Sequence, residues 1–249
     1  MSALGADPAS NARYQRTKGE AEALVRASAL SWTIFQPSIV FGPGDQFVNQ
    51  FARLLRFPFN LLQAYSFPLI GGGGTLFQPV AVEDVAEAFA RALERPETAG
   101  KTYVLAGAER VSLREILEEV ARLTGQRRVV EEAPFLLTLR LLLWAGVAAV
   151  LMAVLVGQSF SPRGAALWVF AYGIALAWRQ LIFFRLPWKA AEAAGAVFEK
   201  ILPKPPLTRD QVLMLRRDNV GDATPAERDL GLAWRPFRAG IAAYLPGRR

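Results

Sequence analysis

Cysteine and histidine are both missing from these 249 residues, and the two absences strip away much of ordinary enzyme chemistry. Without thiols there is no disulfide, no thiolate metal site and no cysteine nucleophile. Without imidazole the commonest general base, the serine–histidine triad and the usual nitrogen metal ligands go as well. No metal site is expected, and acid–base work falls to Tyr, Lys, Asp, Glu or Arg. The first residues carry no apolar run of the kind a cleavable signal peptide needs. A basic stripe is lacking too. The formal charge of +7 is scattered, mostly on arginine, so a nucleic-acid partner is not expected. With 52% hydrophobic residues, the positive excess suits a protein lying against anionic lipid.

Along the chain, apolar spacing predicts a helix over 11–27, with Tyr14, Ala21, Leu24 and Val25 recurring among charged neighbours. "SWTIFQP" predicts a short strand stopped by Pro37, followed by a Gly42–Asp45 loop. "QFVNQFARLLRF" reads as a helix ending before Pro58, and Gly71–Gly74 as a turn leading to a strand around Phe77. A helix from about Val82 to Glu94 carries Glu83 and Asp84 in its first turn, where the helix dipole favours acids. "KTYVLAG" is a further strand. "VSLREILEEVARLTG" is a helix with a Ser112–Glu115 capping box, a buried stripe of Leu113, Ile116, Leu117 and Val120, and Gly125 at its end. Strands alternating with helices imply an α/β fold with parallel pairing.

The composition then shifts. Leu141 to Gly157 is uncharged over seventeen residues, and Gly164 to Trp178 is a second apolar run. A membrane-spanning helix wants about 20 apolar residues, with roughly 17 as the lower limit. Extension through Phe135–Leu139, and through Arg179 to Ile182–Phe184, brings both runs into that range. A hydrophobic hairpin over 136–188, associated with the membrane, is therefore expected; a buried helical pair or an amphipathic surface element is the alternative. Arg127, Arg128 and Arg140 on one side and Arg179, Arg185 and Lys189 on the other place both polar portions in the cytoplasm. The chain divides at 1–135, 136–188 and 189–249. Beyond the hairpin come an amphipathic helix, a proline-rich break, a short helix after Thr208 and a small closing element.

Tyr14 and Lys18 in "YQRTK" carry the chemistry. Positions four apart share a helix face, so both can reach one cleft. A phenol ordinarily ionises near 10, too high for a proton acceptor at neutral pH, and a neighbouring ammonium favours the phenolate. Such a pair can exchange a proton with a hydroxyl or carbonyl while hydride moves to or from a nicotinamide. By itself the spacing is a weak signal; its setting before a strand, Pro37-Ser38 and a glycine loop strengthens it.

"SALGAD", "YQRTKGEAE", "WTIFQPSIVFGPGDQFVNQFARLL", "FQPVAVEDVAEAFARAL", "GKTYVLAG" and "PLTRDQVLMLRRDNV", in that order, resemble the extended and atypical short-chain dehydrogenase/reductase superfamily, NAD-dependent epimerase/dehydratase-like. The likeness is greatest to the branch of the dinucleotide-binding accessory subunit of respiratory complex I and its bacterial relatives, and it covers most of 1–140 and 190–249. It implies NAD or NADP as cofactor, Tyr14 and Lys18 as the catalytic pair, and Ser2 or its neighbour Ala3 at the third catalytic place. Lys18, Pro37 and Ser38 would line the cofactor, and Gln78, Pro79 and Val80 the substrate cleft. The glycine fingerprint that seats the pyrophosphate on a helix N-terminus is not found in this sequence, since Gly71–Gly74 follows the tyrosine and opens no such helix. A partial Rossmann-like fold is expected, its C-terminal half with an inserted hairpin. The expected protein is an NAD(P)-binding dehydrogenase/epimerase-like chain, truncated and weakly catalytic or inactive. The alternative is a non-catalytic assembly protein among respiratory-chain subunits, at the cytoplasmic face of a bacterial inner membrane.

Overall fold

A computed structural model describes residues 1–56, 66–125, 129–131, 181–203, 205 and 207–245. In chain order the elements are α1 (Arg13–Ala27), β1 (Ile34–Pro37), β2 (Val40–Phe41), α2 (Phe47–Arg56), β3 (Ser66–Ile70), β4 (Leu76–Phe77), β5 (Val80–Ala81), α3 (Val82–Leu93), β6 (Thr102–Leu105), β7 (Val111–Ser112), α4 (Leu113–Leu123), β8 (Val129–Glu131), β9 (Leu181–Leu186), α5 (Trp188–Ile201), α6 (Arg209–Met214), α7 (Thr224–Leu230) and α8 (Phe237–Tyr244). The α/β class holds, with parallel pairing of β1 with β6, β2 with β5, and β9 with both β3 and β8. Only β4 and β7 pair antiparallel among the described strands.

β1 carries the centre of the arrangement. It takes β6 on one side, and on the other the backbone of Ser2 and Leu4 runs along it, donating to the Phe35 and Pro37 carbonyls at 2.7 and 2.8 Å. Pro37 belongs to the strand rather than ending it. The Ile34 and Ser38 N–H groups face β6, and in the alternation of the ladder the Pro37 nitrogen faces the other way, so its missing proton costs that ladder nothing.

α1 overturns its expected facing. Its buried residues are Gln15, Gly19 and Glu22, while Leu24 and Val25 are 75% and 39% exposed. Close backbone contact decides this orientation. A Cβ on Gly19 would stand 2.4 Å from the Pro8 nitrogen and 2.5 Å from the Asp7 carbonyl carbon, so the helix lies directly on the 7–8 segment. Glu22 is then held from inside by the Gln36 amide at 2.7 Å and the Arg26 guanidinium at 2.7 Å.

Beyond β1, the main core joins α2, α4 and α8, with Val48, Leu69, Ile116, Leu117 and Ile241 fully or nearly fully buried. The α4 stripe and capping box form as read from the sequence: Ser112 Oγ accepts from the Glu115 N–H, and Glu115 accepts from the Ser112 N–H. That backbone donor, with the Ser112 hydroxyl, holds the Glu115 carboxyl below its usual range. A second core unites β1, β6, α3 and α7 around Phe35, Tyr103 and Leu230. Asp84 stands in the first turn of α3 as read from the sequence; it is fully buried and also accepts from the backbone and guanidinium of Arg235. The Tyr244 hydroxyl of α8 donates to Asp45 at 2.7 Å, and burial first, then Asp45, pushes this phenol well above its ordinary pKa.

Residues 132–180 lie outside the described residues, and with them most of the expected hairpin. Its expected C-terminal stretch, Leu181–Leu186, is a strand, in register with β3 from Ser66↔Ile182 to Ile70↔Leu186. β-Branched and aromatic residues before Pro187 suit a strand, and the helix begins only at Trp188, after the proline. Among the described residues no helix is long and apolar enough to cross a membrane.

Gly19→Ala gains helix propensity worth about 1 kcal/mol but places its methyl inside the 7–8 backbone. The clash outweighs the gain, and urea denaturation should show a net loss of roughly 1–3 kcal/mol.

Candidate functional site

The first turn of α1 presents Tyr14 to a cavity of about 900 Å³. An anchor far along the chain holds that turn. The Arg13 and Tyr14 N–H groups donate to the two carboxylate oxygens of Asp210 at 2.5 and 3.1 Å. A helix N-terminus leaves its first N–H groups without partners. Since Ala12 makes no side-chain cap, Asp210 of α6 fills that role, worth on the order of 1 kcal/mol.

Ser2, Tyr14, Pro37 and Ser38 line the same cavity. Tyr14 is 46% exposed, and Ser2 and Ser38 are buried at the inner wall. Lys18 stands beside the tyrosine rather than on the cavity wall: its Nζ lies 5.8 Å from the Tyr14 ring centroid and donates to the Met1 carbonyl at 3.4 Å. An ammonium at that distance over an aromatic face is attracted by the ring. Gln78, Pro79 and Val80 are not among the residues lining the cavity. Gln78 ties loops together, its amide donating to the Gly107 carbonyl at 2.8 Å and accepting from the Gly221 N–H at 3.3 Å, while Val80 is fully buried in the second core.

The sequence reading missed Asp210 and Asn219. Ser38 Oγ donates to Asn219 Oδ1 at 2.6 Å, and the same oxygen receives the Ile39 N–H at 3.2 Å. The Asn219 backbone meanwhile pairs with Leu76 and Gln78. One side chain thus fixes the C-terminal end of β1, where Ser38 enters the cavity. Both residues fall inside "PLTRDQVLMLRRDNV", but no local pattern marks them, because their partners lie 180 or more residues away.

Glu22, beside Ser2, lies outside the residues that line the cavity. Burial works against its ionised form, but the nearby Ser2 hydroxyl, the Gln36 amide and the Arg26 guanidinium outweigh it and hold the carboxyl below its ordinary value. The Ser2 Oγ faces Glu22 without a hydrogen bond of full geometry to any described residue. A depressed carboxyl stabilises the fold fully above its unfolded pKa and loses that contribution as pH falls through the folded value. The wild-type urea midpoint should therefore fall between about pH 6 and about pH 3, and fall less steeply in Glu22→Gln.

Parallel strands alternating with helices, with the tyrosine–lysine helix packed beside them, form an α/β arrangement of the kind that nucleotide-cofactor folds use. Residues 2–106 match the NAD dependent epimerase/dehydratase family. NAD or NADP is the cofactor class that this resemblance carries. The chain is similar to the mitochondrial NADH dehydrogenase [ubiquinone] 1 alpha subcomplex subunit 9 of Arabidopsis thaliana, 38% identical over 120 residues, which cover 47% of this chain and 28% of the plant protein. Its fold is similar to that of MoeE5 in complex with UDP-glucuronic acid and NAD, with a TM-score of 0.52 and 16% identity over 93% of this chain and 54% of that one. It is also similar to that of a UDP-glucose 4-epimerase with UDP-glucose from Thermotoga maritima, with a TM-score of 0.51 and 14% identity over 98% of this chain and 60% of the epimerase. The chain thus spans little more than half the length of these structures, and its match spans under a third of the plant relative.

Proposed function

We propose that this chain supplies the proton-handling part of an NAD(P)-dependent oxidoreductase or epimerase-like site, with Tyr14 as proton carrier. The carrying observation is the group at one end of the cavity: Tyr14 at the mouth, Lys18 against its ring, and Ser2 and Ser38 on the inner wall. The Tyr14 hydroxyl gives a proton to, or takes one from, the substrate oxygen. The Lys18 ammonium stabilises the phenolate when the proton has left. Ser2, whose hydroxyl lacks a full partner, orients the substrate oxygen, and Pro37 and Ser38 wall the nicotinamide end. The dinucleotide, when bound, supplies the hydride acceptor or donor.

The residues present fit the nicotinamide end of that cofactor better than its diphosphate. Gly71–Gly73 forms a tight turn, with positive φ at all three residues, rather than a loop opening a helix. The N-termini of α1, α2, α4 and α6 are already taken by side chains of the chain itself, so they offer a diphosphate little. Contact with NADH is expected to be weak and one-ended. In saturation-transfer NMR the nicotinamide protons should be saturated and the adenine protons left largely untouched, with the effect lost in Lys18→Ala. Equal saturation at both ends, or none lost in the variant, refutes the assignment.

A second reading is non-catalytic: an assembly or interaction subunit of a respiratory membrane, at the cytoplasmic face in a bacterium. Its support is the 38% identity to a subunit of NADH dehydrogenase and the uncharged run from Leu141 to Gly157. On this reading the chain stays in the pellet when membranes are washed with alkaline carbonate; release into the supernatant counts against a spanning hairpin.

A further inference from the structure

The cavity extends well past Tyr14. Besides Tyr14 and Ser38 it is lined by Phe51 and Leu54 of α2, Ala194 and Phe198 of α5, and Met214 of α6. Its volume, about 900 Å³, lies near the upper end of the roughly 300–1,000 Å³ usual for small-molecule sites. Arg217 and Asp218 are the charged side chains among the described lining residues. They are adjacent in sequence and opposite in sign.

Anionic groups are ordinarily held by cationic side chains or by the free N–H groups of a helix N-terminus. Four helices bring their N-terminal turns to this cavity, and all four turns are occupied. Asp210 takes the N–H groups of α1. Asp45 takes the Val48 N–H of α2 at 2.6 Å. Ser112 with Glu115 closes α4, and Thr208 with Gln211 closes α6. Three of these caps are themselves carboxylates, which repel a phosphate at the places best suited to receive one.

From this we infer that the cavity takes an uncharged amphiphile: a carbonyl or alcohol head at Tyr14 and Ser38, and a long hydrocarbon body between α2 and α5. The substrate class is lipid-like rather than a nucleotide sugar. This rests on the reading of Tyr14 as proton carrier for the chemistry of the head alone; the accommodation of the tail is independent of it.

Calorimetric titration of the whole chain, without any nicotinamide cofactor, tests the inference. The probes are a homologous series of straight-chain methyl ketones and, separately, UDP-glucose. Affinity for the ketones should rise about fourfold with each added methylene until the cavity is filled, and UDP-glucose should give no saturable heat. Ala194→Trp, which fills the cavity beyond the head, should flatten the series while leaving the shortest ketones unaffected. Affinity independent of chain length in the wild-type chain, or saturable binding of UDP-glucose, overturns the proposal without reference to the variant. Ketone binding without NADH contact would remove the cofactor reading and leave this one standing.

Discussion

One carboxylate joins the two ends of this fold. Asp210 reaches across 196 and 197 residues of chain to receive the Tyr14 and Arg13 N–H groups. Without it, α1 would start with unpaired donors and Tyr14 would have no fixed height above the cavity. α6 is itself anchored by the Thr208–Gln211 capping box and packs extensively on α5. The position of the tyrosine is therefore set by the C-terminal part of the molecule and not only by its own helix. Asn219 repeats the pattern at the end of β1, where it holds Ser38.

Local signals in the sequence are faithfully realised wherever the physics is local. The Ser112–Glu115 capping box, the stripe of α4 and the helix after Thr208 depend on contacts three or four residues apart, and each stands where the pattern puts it. α1 fails the same test. Its outward Leu24 and Val25 satisfy helical periodicity, yet the packing face is chosen by Gly19 lying on Asp7–Pro8 and by a polar partner, Gln36, on a strand. No hydrophobic count registers either contact. The strand Leu181–Leu186 was hidden for a related reason: an apolar stretch can belong to a buried strand or to a helix, and pairing with β3 and β8, more than fifty residues away in sequence, decides between them.

The grouping of the candidate residues was legible in the sequence, and the walls around them less so. Tyr14, Ser2, Pro37 and Ser38 do converge on one cavity, and Lys18 supports Tyr14 from beside rather than from within. Gln78–Val80 do not line it, because the polar groups of Gln78 are spent on Gly107, Gly221 and Asn219 and Val80 packs in the second core. The apolar reach between α2 and α5 arises from residues that read individually as ordinary helix core. Only the assembled fold turns them toward a common space.

The bond from Tyr244 to Asp45 links two further parts of the molecule. Asp45 already holds the first turn of α2, so the last described helix and one wall of the cavity share a single carboxylate. Order in either one is order in the other. Fraying of the C-terminal helix would therefore be felt as a loosening of the cavity wall, and anything that braces α2 from inside would also steady the far end of the chain.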